Sequence, residues 1–373
     1  MSGVYVHVPF CRRRCIYCDF YSVGERLAPW SDYVSALLGE ARVRVPQMVV
    51  APTTLYIGGG TPSLIPADEF ARLSKGLSAL TGEVGEFTIE VNPDDVTEDM
   101  ARLWRGCGVN RLSMGVQSLD DGELRAICRR HDAAQARKAY EILRRHFGNI
   151  SLDLMFGLPG QTVESFRRSV GGVVSMNPEH ISAYSLMYEE RTALTRMRDS
   201  GMIAEAAEED SQTMFMELSE ALSLAGYEQY EISNYSKPGY RSQHNSSYWR
   251  GEEYVGLGAA AHSYDGARLR KANHPDYKAY IDYWLAKKGE CPAETETLSD
   301  DELREEMIMT RLRTREGLPL ADFTARFGES ATRRLLAAAR PWLTARHLTL
   351  TPAHLTLTQT GIMISDEIIL SLF

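Results

Sequence analysis

The sequence predicts an α/β protein, with a partial (β/α)6 TIM-like barrel followed by a smaller C-terminal α+β domain. Short apolar runs alternate about six times with longer amphipathic segments, and polar or glycine-rich motifs follow the apolar runs. Apolar strands separated by helices favour a parallel sheet with right-handed crossovers. Since a closed barrel of this kind needs eight units, about six units predict a barrel with a gap in its wall.

The predicted elements alternate from the N-terminus. Strands are predicted at residues 4–8, 54–57, 87–91, 111–116, 150–155 and 180–186. Helices are predicted after the first five of them, at residues 30–45, 67–80, 98–106, 120–128 and 163–174. The glycine run 58–60, Glu90, Gln117 and Asp153 lie at or just past predicted strand ends, where active sites of such folds assemble. Any one of them fits a turn or a solvated polar residue, but the whole set fits that interpretation poorly.

The sequence also predicts three segments. Residues 1–225 carry the βα repeat, and residues 226–298 form a connecting region rich in aromatic and histidine residues. Residues 299–373 read as helices followed by two alternating β-like runs, which resembles a winged-helix module. We interpret this last segment as a packing or lid domain.

Composition excludes several classes of function. The 373 residues are 44% hydrophobic and 24% charged, which suits a globular protein, and the net charge of -9 argues against nucleic-acid binding. The N-terminal residues do not have the pattern of a signal peptide, and no apolar run approaches the ~20 residues of a membrane-spanning helix. We therefore expect a cytoplasmic protein.

Three of the six cysteines, Cys11, Cys15 and Cys18, lie close together in the pattern C-x3-C-x2-C. A fully ligated 4Fe-4S cluster uses four thiolates, so a triad on one short loop would leave one iron open. A zinc site made of the three thiolates and His7 stays open as an alternative, as does a redox disulfide. Three scattered cysteines are expected to be inert thiols: Cys107, Cys128 and Cys291.

Motifs outside the loop indicate a family. The cysteine loop, with Tyr17 before its last cysteine, resembles the radical SAM (S-adenosylmethionine) superfamily. Five further motifs resemble its coproporphyrinogen III oxidase-like group: YIGGGTPS (56–63), IEVNP (89–93), GVQS (115–118), DLMFGLPGQT (153–162) and HNSSYW (244–249). Phe20 stands where the oxidases carry an extra cysteine, and this departure, with the HNxxYW signature, resembles the HemW haem chaperones.

The resemblance implies a 4Fe-4S cluster held by Cys11, Cys15 and Cys18, with SAM completing the shell of the open iron. It assigns a set of residues to the SAM pocket: Tyr5, Tyr17, Gly58, Gly59, Gly60, Thr61, Pro62, Glu90, Gln117, Arg129, Asp153 and Ser185. Glycines let the backbone approach the methionyl group, carboxylates accept from its amine or from ribose hydroxyls, and Arg129 can clamp a carboxylate.

Haem is the third group that the resemblance implies. His244 and His262 are candidate axial ligands, and Tyr248 and Trp249 could stack on a macrocycle. His244 could equally bond a neighbouring residue, and the two aromatic residues could pack the core. The haem ligand therefore stays open at this point.

The implied function is haem trafficking to haem-acceptor proteins, which include membrane-associated respiratory proteins, with an electron donor for the cluster and a homodimer as family expectations. Porphyrinogen decarboxylation is in doubt because of Phe20. The alternative is a radical SAM enzyme that uses a 5'-deoxyadenosyl radical, either a coproporphyrinogen III oxidase-like enzyme or a methyltransferase. A zinc-binding structural protein is the third hypothesis.

Overall fold

A computed structural model describes residues 1–286, 289 and 291–373. Strands and helices alternate through its N-terminal half in the following order: β1 Gly3–Val8, β2 Phe10–Cys11, β3 Val23–Gly24, α1 Trp30–Arg44, β4 Thr54–Gly59, α2 Ala67–Thr81, β5 Glu86–Val91, α3 Glu98–Gly106, β6 Arg111–Gln117, α4 Asp121–Ala126, α5 Ala133–Arg144, β7 Ile150–Phe156, α6 Val163–Met176, β8 His180–Ser185 and α7 Ala193–Asp199. All six predicted strands are confirmed. Helix α5 was not predicted, although Asp132 and Gln135 form a capping box at its start.

The remaining elements extend the sheet and add a second domain. They are α8 Glu208–Leu224, β9 Glu228–Glu231, β10 Asn234–Ser236, α9 Gln243–Trp249, β11 Tyr254–Leu257, β12 His262–Tyr264, β13 Leu269–Asn273, α10 Tyr277–Ala286, β14 Ala293–Thr297, α11 Asp300–Leu312, β15 Leu318–Pro319, α12 Leu320–Thr344, β16 Leu348–Leu350, β17 His354–Leu357, α13 Gln359–Ile362 and α14 Ser365–Ser371.

One sheet of twelve strands organises the molecule, in the order β14-β13-β12-β11-β1-β4-β5-β6-β7-β8-β10-β9. The strands from β1 to β8 in that order are parallel, as predicted, and β11 adds a further parallel strand on the other side of β1. The outermost strands are antiparallel hairpins. Within the described residues, the two edge strands do not pair with each other, so the wall is open as expected.

The parallel strands have one apolar and one polar face. On β5, Phe87 and Ile89 join the main hydrophobic core, whereas Thr88 and Glu90 occupy the opposite face because side chains alternate along a strand. The same alternation continues on β7, where Ser151 and Asp153 share the polar face. This polar face differs from the branched apolar filling of a closed eight-stranded barrel, and it leaves an interior that suits polar ligands.

The C-terminal segment has a hydrophobic core of its own, which includes Phe323, Leu335 and Leu355. Its order of elements is helix, strand, helices and hairpin, as in a winged-helix module, and α12 is two helices joined at Gly328, whose φ is +84°. It docks on the barrel partly through Arg313, whose carbonyl accepts from the amide of Ile232 at 3.1 Å. In the described part of the chain, no helix is both long and apolar enough to cross a bilayer.

Candidate functional site

The cysteine loop begins directly after β1, at the carboxyl ends of the parallel strands. Cys11 ends β2 and is buried, whereas Cys15 and Cys18 are half-buried in the turn that follows. Removal from water raises the pKa of Cys11, and it raises that of Cys18 to about 11 although the amide of Phe20 opposes the rise. Both thiols therefore hold their protons at neutral pH until a metal displaces them, so metal binding should release protons.

The glycine run 58–60 packs closely against β1 and the cysteine loop. A Cβ on Gly60 would lie 2.8 Å from Sγ of Cys11, so any larger residue would push the thiolate away. Gly59 has a φ of +113°, and its Cβ would lie 2.7 Å from the ring of His7. Only glycine meets both conditions, which explains why the strand can pass so close to the ligand loop.

Glu90 connects the glycine run to the polar face of the barrel. Its carboxylate accepts from the hydroxyl of Tyr56 at 2.8 Å and from the amide of Gly59 at 3.0 Å. Burial raises its pKa to about 7, the two hydrogen bonds oppose this rise, and the nearby charge of Asp153 adds to it. At neutral pH the carboxyl group is therefore poised between its two protonation states.

Arg129 reaches from the turn after α4 to the cysteine loop. Its Nη2 donates to Oδ1 of Asn92 at 2.9 Å and to the carbonyl of Gly115 at 2.6 Å, and Nη1 lies 3.5 Å from Sγ of Cys15. Its buried Nε has no hydrogen-bond partner. A buried guanidinium donor without an acceptor is costly, so this atom fits the carboxylate of a bound amino acid such as the methionyl part of SAM.

Asn92 belongs to the site although the sequence did not predict it as a site residue. Besides accepting from Arg129, its Nδ2 lies 3.4 Å from Oγ1 of Thr61, which in turn hydrogen-bonds the thiol of Cys11. The available signal was its place in the IEVNP motif, directly after β5. Asn92 thus joins two predicted site residues, Arg129 and Thr61, in one network.

Two predicted pocket residues lie on β6 and β7. One is farther from the strand end than predicted, and the other has a positive φ. Asp153 is the fourth of the seven residues of β7, which corrects its predicted place at a strand end, and it accepts from the hydroxyl of Ser113 at 3.1 Å. Gln117 does end β6, with a φ of +67°. A non-glycine residue in this region is strained and typical of functional sites, so Gln117 stays a candidate.

The other predicted residues divide between loop and barrel. Tyr17 lies beside Cys15, and burial raises its pKa. Tyr5 points into the barrel, where its hydroxyl lies 3.1 Å from Nδ1 of His7. Pro62 is buried directly after the glycine run. Ser185 is exposed at the end of β8, and no hydrogen bond in the described part of the chain joins its side chain to the rest of the site.

His7 does not offer a fourth ligand for a zinc ion. Its Nδ1 faces the hydroxyl of Tyr5, and its Nε2 lies 3.1 Å from the carbonyl of Tyr21, so both ring nitrogens are engaged. Among the described residues, no three His, Cys, Asp or Glu side chains are spaced to hold a single metal ion. A 4Fe-4S cube does not need such spacing, because each thiolate binds a different iron.

His244 lies at the opposite end of the barrel from the cysteine loop. Its Nδ1 is 2.8 Å from Oγ1 of Thr54, the first residue of β4, and its Nε2 is 2.8 Å from the hydroxyl of Tyr248. Burial lowers its pKa to about 3, with a further contribution from the charge of Arg111. With 1% exposure, this imidazole has both ring nitrogens engaged in hydrogen bonds. Its role as a haem contact stays a prediction.

A cavity of about 720 Å³ opens beside the cysteine loop, between the β11–β13 side of the sheet and the helices of the C-terminal domain. We call it the interdomain cavity. The residues that follow Cys18 form one part of its wall, namely Asp19, Phe20 and Tyr21. The rest of the wall includes aromatic, basic and acidic side chains: Tyr248, Trp249, Tyr254, Tyr264, Arg250, Arg270, Arg311, Arg326, Glu252, Glu306 and Asp322.

Two family models and several curated relatives match this chain. The Radical SAM superfamily model matches residues 5–171, and the HemN C-terminal domain model matches residues 298–364. The chain is 35% identical to the haem chaperone HemW of Bacillus subtilis, with 88% of each protein covered. It is 34% identical to HemW of Escherichia coli, with 87% of this chain and 86% of that protein covered.

The structural comparison concerns the fold. The coproporphyrinogen III oxidase HemN from Escherichia coli, a radical SAM enzyme, matches with a TM-score of 0.84 and covers 100% of this chain and 89% of its own. At 22% identity this similarity establishes the architecture, a partial barrel with a C-terminal domain. Sequence identity and coverage carry the finer assignment: the chain belongs to the radical SAM superfamily and, within it, to the HemW family of haem chaperones.

Proposed function

We propose that this protein is a haem chaperone, which binds haem, a 4Fe-4S cluster and SAM and transfers the haem to acceptor proteins. The single observation that carries the proposal is the interdomain cavity, whose wall includes the residues directly after the cluster ligand Cys18. A ligand in this cavity would contact the loop that holds the cluster, so binding of the cargo and binding of the cofactor would affect each other. The relatives named as haem chaperones supply the identity of that cargo.

The cavity suits a flat, largely apolar macrocycle with charged edges. Its volume of about 720 Å³ lies within the range of small-molecule and cofactor sites. Tyr254 contacts both Tyr248 and Tyr264, at ring-centroid distances of 4.7 Å and 6.4 Å, which makes a continuous aromatic wall. Such rings give a large contact area with a porphyrin face at a small entropic cost.

The chain's own residues would hold the cofactors in the geometry described above. A reduced 4Fe-4S cluster, when bound, would supply the electron for SAM cleavage. Cys11, Cys15 and Cys18 would bind it, and the unpartnered Nε of Arg129 would receive the SAM carboxylate. Glu90 is placed to orient a donor group of the ligand, such as an amine or a hydroxyl, and the glycine run leaves room for it.

Several properties of the chaperone belong to the proposal. We propose a cytoplasmic protein that receives electrons from a separate donor, acts as a homodimer and delivers haem to acceptors that include membrane-associated respiratory proteins. The negative net charge and the absence of a membrane-spanning helix from the described residues are compatible with this proposal. The division into segments 1–225, 226–298 and 299–373 also stays a prediction.

Anaerobic reconstitution followed by two assays tests the proposed function. Reconstituted protein is titrated with haemin, with and without SAM, and is separately incubated with coproporphyrinogen III, SAM and reductant. We expect tight haemin binding, an effect of SAM on that binding, and no decarboxylation. Stoichiometric decarboxylation without haemin binding would establish the oxidase alternative instead.

A further inference from the structure

We propose that the outer face of the cysteine loop is the docking surface for the cluster's electron donor, and that this donor is an acidic electron-carrier protein. The inference rests on the proposed function, which requires a separate donor, and it adds the place and the chemistry of that partner. The surface consists of residues 12–14 and 25–27, and we call it the arginine face.

The two segments of the arginine face lie side by side. Strands β2 and β3 pair in parallel with Cys11 opposite Gly24, so the residues after each strand leave in the same direction. An ion pair of 3.1 Å between Arg12 and Glu25 joins the segments. The residue that comes next in each segment is an exposed arginine. Both segments therefore contribute positive charge to the same part of the surface.

Two arginines of the face hold the loop itself. Arg12 also pairs with Asp95 at 3.4 Å, and the side chain of Asp95 is only 4% exposed. Arg14 donates to the carbonyl of Cys18 at 3.0 Å and to that of Phe20 at 3.5 Å. These guanidinium groups fix the shape of the surface, so they are not the first candidates for contacts with a partner.

The other two arginines, Arg13 and Arg26, are available for a partner. Both are exposed, and neither forms an ion pair or a hydrogen bond within the described residues. Leu27 adds an apolar contact, since 63% of it is exposed. Arginine is enriched in protein interfaces, where its planar group binds carboxylates in bidentate fashion. The face therefore fits a protein that presents acidic side chains.

The charge of the arginine face is opposite to that of the whole chain. The chain has a net charge of -9, whereas residues 11–28 contain four arginines and two acidic residues, which gives +2. A positive patch on a negative protein attracts an acidic partner to one place and repels it elsewhere. Charge thus selects both the class of partner and the orientation in which it docks.

The face also lies on the loop that carries the cluster ligands. Residues 12–14 stand between Cys11 and Cys15, and Cys15 and Cys18 are half-buried. A carrier docked here approaches the cluster without entering the barrel. One electron leaves the reduced carrier, which becomes oxidised, and enters the 2+ cluster, which becomes 1+, and no proton or group is transferred. Plant-type ferredoxins, with potentials of about -400 mV, are carriers of the required kind.

The test compares Arg13→Glu and Arg26→Glu with a matched control, Arg105→Glu. Arg105 is exposed and forms no ion pair within the described residues, and it lies near the end of α3, at the opposite end of the parallel strands. An acidic plant-type ferredoxin is the probe. Biolayer interferometry measures its binding to each reconstituted protein, and stopped-flow absorption measures how fast the reduced ferredoxin reduces the cluster.

We expect each reversal on the arginine face to lower the association rate and the rate of cluster reduction on the order of tenfold at low salt. The difference from wild type should vanish at high ionic strength, because salt screens exposed charges. Arg105→Glu should behave as wild type, and Arg13→Lys should keep the wild-type rates because it keeps the charge. Iron content and the extent of reduction by excess dithionite should be the same in all variants, which separates docking from a structural defect.

Two results would overturn the inference. One is wild-type rates in both Arg13→Glu and Arg26→Glu, or an equal loss in Arg105→Glu. The other is binding of wild type to phosphatidylserine vesicles through these arginines without binding of ferredoxin, which would make the face a membrane contact. Haemin titration of the same samples keeps the two proposals apart. If ferredoxin docks as expected but haemin does not bind, the arginine face stands and the chaperone function fails.

Discussion

Replacing Glu90 by Gln should remove a pH dependence from the stability of the cofactor-free protein. The pKa of Glu90 rises from 4.5 to about 7 in the folded state because the carboxyl group is buried on the polar face of the barrel. Below pH 4.5 both the folded and the unfolded chain keep this proton, so Glu90 does not lower the free energy of unfolding there. Between pH 4.5 and 7 the unfolded chain releases the proton and the folded chain retains it, and the wild-type protein loses stability as the pH rises.

The size of this loss follows from the two pKa values. One pKa unit corresponds to 1.36 kcal/mol, so the full change amounts to about 3 kcal/mol, and to less if cavity water hydrates the carboxylate. Gln keeps an oxygen to accept from the amide of Gly59 and an amide group that can donate to the hydroxyl of Tyr56. The free energy of unfolding of Glu90→Gln should therefore rise above that of wild type as the pH increases from 4.5, and the difference should reach about 3 kcal/mol by pH 8.

Denaturant unfolding of both proteins at a series of pH values, followed by circular dichroism, measures this difference. Glu98→Gln is a useful control, because Arg145 and His146 lower the pKa of Glu98 to about 2. The stabilising contribution of Glu98 is present above pH 4.5 and is lost as the pH falls toward 2, so its variant should show the opposite trend. A difference between Glu90→Gln and wild type that stays constant from pH 5 to 8 would refute the reasoning.

Three other predictions concern the cofactor site. Replacing Cys11, Cys15 or Cys18 by Ala should lower the iron and sulfide content after reconstitution to background. The control variant Cys291→Ala should keep the wild-type content. Gly60→Ala should also reduce cluster content, since the new Cβ would lie 2.8 Å from Sγ of Cys11, and normal iron content would contradict the fit. Arg129→Lys should retain the cluster but bind SAM on the order of tenfold more weakly in equilibrium dialysis, because an ammonium group cannot replace the guanidinium donors; equal affinity would remove Arg129 from the pocket.

Periodicity predicted the barrel well, because each central strand places apolar residues on the face that helices cover. The six strands and the order of the C-terminal elements were recognised from this pattern alone. Strand β11 was not, since its parallel pairing with β1 joins Gly3 to Tyr254, and such long-range register has no local signal. Helix α5 was missed although its capping box was readable in the sequence.

The sequence indicated which residue types belong to the candidate site, but it predicted less well where along the strands these residues lie. The triad and the glycine run could be recognised because spacing and residue type determine their chemistry. Asp153 was placed too close to a strand end, and the environment of His244 depends on Thr54, which is 190 residues away in the chain. Contacts between distant segments determine the hydrogen bonds of a buried imidazole, so residue type and motif could not predict those of His244.

The position of strand β1 in the sheet determines when during synthesis the protein can bind its cluster. The strand that leads into the cysteine loop lies between β4 and β11, so one of its two neighbours is made only after about two thirds of the chain has left the ribosome. Contacts of such large sequence separation form late in folding. Iron and sulfide therefore meet a finished ligand loop only after β11 has been made, and a nascent chain shorter than residue 257 should be unable to keep its cluster.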